Sequence, residues 1–149
     1  MSPDKQAADP HNLQRFVDAQ EASFTSALAE LKQGRKRGHW IWFIFPQLKG
    51  LGHSANSGFY GISGLAEAGA YLWHPVLGPR LIECVQAVNS VEGRSAEEIF
   101  SEVDAMKFRS SVTLFAKAAP EERIFAHALE KYFNGEFDPL TLSLLSQPI

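Results

Sequence analysis

An all-α fold is predicted for this chain by three features of its sequence. Adjacent apolar pairs recur every four residues through Ile124, Phe125, Ala128, Leu129, Tyr132 and Phe133, a pattern that fits only a helix. Leu77, Leu81, Cys84, Val85 and Val88 form a second stripe at helical spacing. No two segments show the strict alternation that would pair them as half-buried strands. The expectation is one compact multihelical domain over residues 10–149, with about seven or eight helices, little or no sheet, and a flexible polar tail over residues 1–9.

The elements follow from local signals. Asp9 before Pro10 is a helix start, with Leu13, Phe16, Val17 and Gln20 on one face. Phe24, Ala27, Leu28 and Leu31 continue at helical spacing to Gly34, a left-handed stop. The run HWIWFIFP suits either a strand or a short buried helix by composition; a helix is expected, because an unpaired strand would bury unsatisfied amides, and Pro46 ends it. Lys49 to Ser63 holds four glycines and reads as a loop. Ser63 can cap a helix carrying Leu65, Ala68, Tyr71 and Leu72, closed by His74 and Pro75. Val76 to Val88 follows, with Pro79 tolerated near its start. Ser95 and Glu98 make a capping box, and Asp104 can cap the helix that places Phe108, Val112 and Phe115. After the paired stripe ends at Gly135, Asp138 and Pro139 start a last short helix.

Composition narrows the function classes. Hydrophobic residues make up 45% of the chain and charged residues 21%, as in an ordinary folded globule rather than a disordered or fibrous chain. A net charge of -3 disfavours nucleic acid as the main partner. The single cysteine, Cys84, lies in an apolar stripe and reads as a small buried hydrophobe. With no apolar run long enough for a membrane span and no signal-peptide pattern, the expected location is the cytoplasm. The five histidines form no helix-face pair and no HExxH, so neither a metal nor another cofactor is expected.

Candidate chemistry gathers in GHWIWFIFPQLKGLGHS, Gly38 to Ser54. The preceding cations Lys32, Arg35, Lys36 and Arg37 fit a solvated helix C-terminus, favourable by 0.3 to ~1 kcal/mol each, or an anion contact. Most of the aromatics in HWIWFIF must be core, while one tryptophan left at the surface would make a stacking wall; Trp40, next to the basic run, is the expected one. The glycine-rich loop with His53 and Ser54 is not a P-loop, since no strand precedes it and no lysine stands in place. In DAMKFRSS, Asp104 and Lys107 lie three apart on one helix face, either as an exposed ion pair or as an anion-binding or acid–base pair beside a cleft.

The same segment, with RFVDAQ before it and AYLWHPVLGPRL, DAMKFRSSVTLF and DPLTLSLL after it, resembles the bacterial "domain of unknown function 1810" family. The resemblance runs from about Leu13 to Leu145 and implies an all-helical single domain without an assigned activity. Its members often carry the label calpastatin, but that inhibitor works through disordered segments and this composition is a packed globule. The motif positions carried over are His39, Trp40, Trp42, Pro46, Gln47, Gly50, Gly52, Ser54, Tyr60, His74, Pro75, Asp104, Lys107 and Ser111. Gly38 and Phe24 replace a serine and a tyrosine common in the family, so no role can rest on those hydroxyls here. In type, helical with aromatic and polar motif residues near a loop, the chain is also similar to NADAR domains, which process ADP-ribose compounds, a similarity that stands as analogy.

The expectation is therefore a site that binds or processes a small anionic ligand, nucleotide-like or ADP-ribose-like. Trp40 would stack its ring, Arg37 and Lys107 would meet its anion, and His39, Gln47, His53 and Ser54 would supply polar contacts, with Tyr60 and Asp104 as further candidates. The alternative is a protein-interaction module without catalysis, docking through aromatics of the Gly50–Gly61 loop.

Overall fold

The computed structural model describes residues 9–146. Among them lie ten helices: α1 (Gln14–Glu21), α2 (Phe24–Lys32), α3 (Ile41–Ile44), α4 (Ala55–Phe59), α5 (Leu65–Trp73), α6 (Leu77–Asn89), α7 (Ala96–Phe100), α8 (Glu102–Ala118), α9 (Ile124–Phe133) and α10 (Pro139–Leu145). No strand occurs among the described residues; an isolated parallel bridge joins Leu48 to Ile62. The all-α reading holds, with more helices than expected; the one the sequence did not indicate is α4, a single turn inside the glycine loop. The tail expected over residues 1–9 lies, apart from Asp9, outside the described residues. Asp9 itself is tied down: its carboxylate accepts from the Leu13 and Gln14 amides at 2.7 and 3.0 Å, so it caps α1 across a turn instead of starting it directly.

Helix α8 is the axis of the fold, packed by α3, α5, α7, α9 and α10. Every residue from Ser110 to Ala116 is buried, so this helix has no solvent face through its middle. It begins one turn earlier than the sequence indicates. Ser101, held at φ 81°, is the cap, its hydroxyl accepting from the Asp104 amide at 3.4 Å. Asp104 is thereby a first-turn residue, its carboxylate free to point sideways. Phe45 packs edge-on to Phe108 at 4.9 Å and to Phe100 at 6.0 Å, and Phe100 stacks on Phe108 at 4.7 Å, which nails α3 and α7 to the axis.

Several local expectations are met. HWIWFIFP does fold as a helix, α3, with Pro46 just beyond it. Ser95 and Glu98 form both bonds of the capping box, and Asp138 caps α10. Gly34, at φ 75°, supplies the left-handed turn after α2. At the α5 start the expected roles are exchanged: Gly64 is the cap, and the Glu67 carboxylate accepts from both the Ser63 amide and hydroxyl at 2.9 Å. Leu65, placed on the inner face by spacing, is 44% exposed. The Lys49–Ser63 loop is not structureless. Ser54 caps α4 through the Ser57 amide at 3.1 Å, and the Lys49 amide reaches the Ile62 carbonyl at 2.8 Å.

Candidate functional site

Four parts of the chain enclose an open cleft of about 360 Å³. Helix α3 and the residues after it give Trp42 and Gln47; the loop before and within α4 gives Leu51, Gly52, His53, Ser54 and Ser57; α8 gives Met106, Lys107 and Ser110; the start of α10 gives Asp138 and Leu140. Gln47, His53, Ser54 and Lys107, all expected at the site, therefore share one concavity. Tyr60 lines a small recess next to it, which Trp42, Gln47, Gly52 and Ser57 also border.

Trp40 does not serve as the expected exposed wall. It is buried at 3% exposure, its indole N–H donates to Glu30 Oε1 at 2.9 Å, and the Lys36 ammonium covers its ring at 4.9 Å. Glu30 also accepts from the Arg37 and Gly38 amides at 2.7 and 3.0 Å, so the turn after α2 folds around this one carboxylate. Partial desolvation would raise the Glu30 pKa, but those donors and the Lys36 charge outweigh it and hold the carboxyl below its ordinary value. The basic run is correspondingly dispersed. Lys36 is turned inward, bridged to Asp104 at 2.8 Å and donating to the Gly38 carbonyl, while Arg37 and His39 stay exposed away from the cleft.

Trp42 takes the place expected of Trp40. Successive helical residues are about 100° apart, so two tryptophans at i and i+2 face nearly opposite ways, and burial of one presents the other outward. The Lys107 ammonium lies 4.9 Å above the Trp42 ring and 3.4 Å from Asp104 Oδ1. Asp104 does not line the cleft; it stands behind Lys107, shared with Lys36, whose contact is the shorter. Lys107 is thus loosely held and able to turn toward an anion in the cleft.

Asp138 and Ser110 line the cleft although neither was among the expected site residues. Asp138, read as a cap only, is buried at 4% exposure and faces the cleft. Ser110, whose one hydroxyl proton lies between the Met106 carbonyl at 3.0 Å and Asp138 Oδ2 at 3.2 Å, brings α8 against the start of α10. The hydroxyls at Ser110, Thr113 and Thr141 were the available signal, since buried hydroxyls require partners and all three find one in Asp138. Ser111, among the family motif positions, is buried on α8 with no partner for its hydroxyl. Cys84 is buried, and burial, with the nearby Glu83 charge, pushes its thiol up to about 12, far from a reactive thiolate. Among the described residues no group of three or more His, Cys, Asp or Glu could hold a metal ion, and no helix is long and apolar enough to cross a membrane.

This all-helical domain, with its cleft walled by the tryptophan segment and the glycine loop, defines a recognisable class of protein. Residues 10–145 match the family described as "Protein of unknown function (DUF1810)", and the chain belongs to that family. A solved relative, the conserved hypothetical protein Rv1873 from Mycobacterium tuberculosis, is 53% identical, covers 94% of this chain and 100% of its own, and superposes with a TM-score of 0.92. No curated protein matches the chain.

Proposed function

We propose that the cleft binds a small anionic ligand with a flat ring, nucleotide-like or ADP-ribose-like, with Trp42 rather than Trp40 as the stacking surface. The observation that carries this reading is the shared wall of Trp42 and Lys107: an indole face and an ammonium 4.9 Å apart, bordering one open concavity. A volume of about 360 Å³ lies within the range of small-molecule pockets, about 300–1,000 Å³. Leu51, Met106 and Leu140 supply apolar lining, while Gln47, His53 and Ser54 supply hydrogen-bonding groups. A ring that displaces Lys107 from the Trp42 face leaves the ammonium free to meet the ligand's phosphate, so one binding event satisfies both groups.

A thermal-shift screen of nucleotides, sugar phosphates and ADP-ribose, followed by calorimetry on the best ligand, tests this. Lys107→Ala and Trp42→Ala are each expected to weaken binding about tenfold or more, the loss of one charged hydrogen bond or one stacking contact. Failure of every compound to raise the Tm would discard the reading.

A protein-interaction module is the second reading, and Phe59, 57% exposed on α4, is the observation in its favour. Under it Phe59→Ser abolishes retention of a partner from native extract, and nucleotide binding is absent from the start.

A further inference from the structure

We propose that Asp138 is a ligand-recognising acceptor, and that the ligand it selects is a ribonucleotide held through a ribose hydroxyl. This rests on the reading of the cleft as an anion-and-ring site and specifies the sugar. The Asp138 carboxylate is used unevenly. Oδ2 accepts from the Thr141 amide at 3.0 Å and Thr141 Oγ1 at 2.6 Å, and shares the single Ser110 hydroxyl proton, at 3.2 Å, with the Met106 carbonyl at 3.0 Å. The Asp138 amide donates to Thr113 Oγ1 at 2.9 Å, fixing the backbone as well. No hydrogen bond and no ion pair among the described residues reaches Oδ1. Nor is Oδ1 sealed: among the described residues the fully enclosed side-chain atoms without partners are Asn89 Oδ1 and Ser111 Oγ, and Asp138 lines the cleft.

Capping α10 accounts for Oδ2 and not for Oδ1. A cap needs one acceptor oxygen, which serine, threonine or asparagine supplies equally well. With the rest of the residue buried at 4% exposure, Oδ1 is the part of the carboxylate left to the cleft, placed where a ligand donor can take the position of water. The donor's nature follows from its neighbour. Lys107 and Ser110 are three apart on α8 and so adjacent on its surface, and Ser110 contacts Asp138, so the acceptor and the Lys107 side chain border the same cleft. A second cation beside Lys107 and Lys36 is disfavoured, so the donor is a neutral group, and in a ligand whose ring lies on Trp42 and whose phosphate meets Lys107 the part left to supply it is a sugar hydroxyl. A ligand that stacks on Trp42, brings a phosphate to Lys107 and offers a hydroxyl to the other side of the cleft has the layout of a 5′-ribonucleotide, with its vicinal diol toward Asp138.

The test is calorimetry on the full chain with AMP, GMP, CMP and UMP, and with the 2′-deoxy, 3′-deoxy and 2′,3′-dideoxy form of whichever binds best. The ribonucleotide is expected to bind at least about tenfold tighter than the dideoxy form, the loss of a hydrogen bond to a charged acceptor. Asp138→Asn keeps a capping oxygen for Thr141 and removes the charged acceptor facing the cleft, so it is expected to lower affinity for the ribonucleotide relative to the dideoxy form and shrink that ratio severalfold. Equal affinity of the ribo and dideoxy forms for the native protein would overturn the sugar assignment and leave the anion-and-ring site standing. No binding of any of them would remove both. An Asp138→Asn protein that weakens both forms equally would also overturn the assignment, and should that variant fail to fold, the native-protein comparison decides alone.

Discussion

Glu30 shows how much one side chain can organise. Its carboxylate takes the Trp40 indole N–H and two backbone amides, and that set of bonds, invisible to periodicity, decides which tryptophan goes inside. The sequence marks HWIWFIF as mostly core and leaves the choice between Trp40 and Trp42 to a partner ten residues upstream. Because the folded pKa of Glu30 is depressed below the unfolded value near 4.5, its contribution to stability is fully present above that pH and is lost as pH falls through the lowered folded value. Glu30→Gln is therefore expected to lower the Tm at neutral pH, by on the order of 1 kcal/mol of stability, with the gap between the two proteins closing in acid. Melting curves of both proteins from neutral to acid pH measure it; a gap that stays constant would contradict the account. At Cys84 the expectation is kinetic: with the thiol pushed up to about 12 inside the core, a thiol-specific reagent should react at the rate of opening and not at that of a free thiol.

At the scale of elements, caps and stripes were legible and close approaches were not. The capping box at Ser95 and the stripes of α6 and α9 are local, so the sequence displays them directly. Helix α4 was missed because it is a single turn with a glycine inside it, and what makes it a helix is Ser54 reaching the Ser57 amide. Gly78 is the clearest case of a residue whose reason lies elsewhere in the chain. It sits in the first turn of α6, buried, where the chain folds back sharply after α5, and a Cβ there would lie 2.1 Å from the Leu72 carbonyl oxygen. The clash is with backbone, which cannot swing aside. Gly78→Ala is expected to cost at least the ~1–3 kcal/mol of ordinary overpacking and to force α5 and α6 apart, despite alanine being the better helix former. Denaturant unfolding should show a lower midpoint than native; an unchanged or raised midpoint would mean that the α5–α6 corner is looser than its geometry.

Across the whole molecule, the cleft is assembled from segments distant in sequence, and this is why its membership was only half legible. Gln47, His53, Ser54 and Lys107 could be nominated by residue type, but Asp138 joins them only because α10 returns to lie along α8. The strut that holds the glycine loop in place comes from the opposite end of the chain. Arg15, on α1, donates to the Phe59 and Gly61 carbonyls at 2.8 and 3.1 Å and to Glu67 Oε2 at 2.8 Å, with the two side chains only 9% and 4% exposed. Glu67 in turn holds the Ser63 amide, so one buried ion pair fixes the end of the segment whose other end lines the cleft. Removing one member of such a pair leaves a buried charge alone and typically costs ~3–5 kcal/mol. Arg15→Met is expected to cost that much in global stability, and more tellingly to release the bridge in which the Lys49 amide meets Ile62 and the Ile62 amide meets Gln47, at 2.8 and 2.9 Å. Amide exchange at those two positions should then accelerate more than exchange in α8 and α9, where the core is unchanged. Because Gln47 belongs to the cleft, ligand affinity should fall in the same variant although Arg15 lies outside the cleft. Acceleration spread evenly over the helices would instead make Arg15 a stabiliser of the whole fold with no particular hold on the loop.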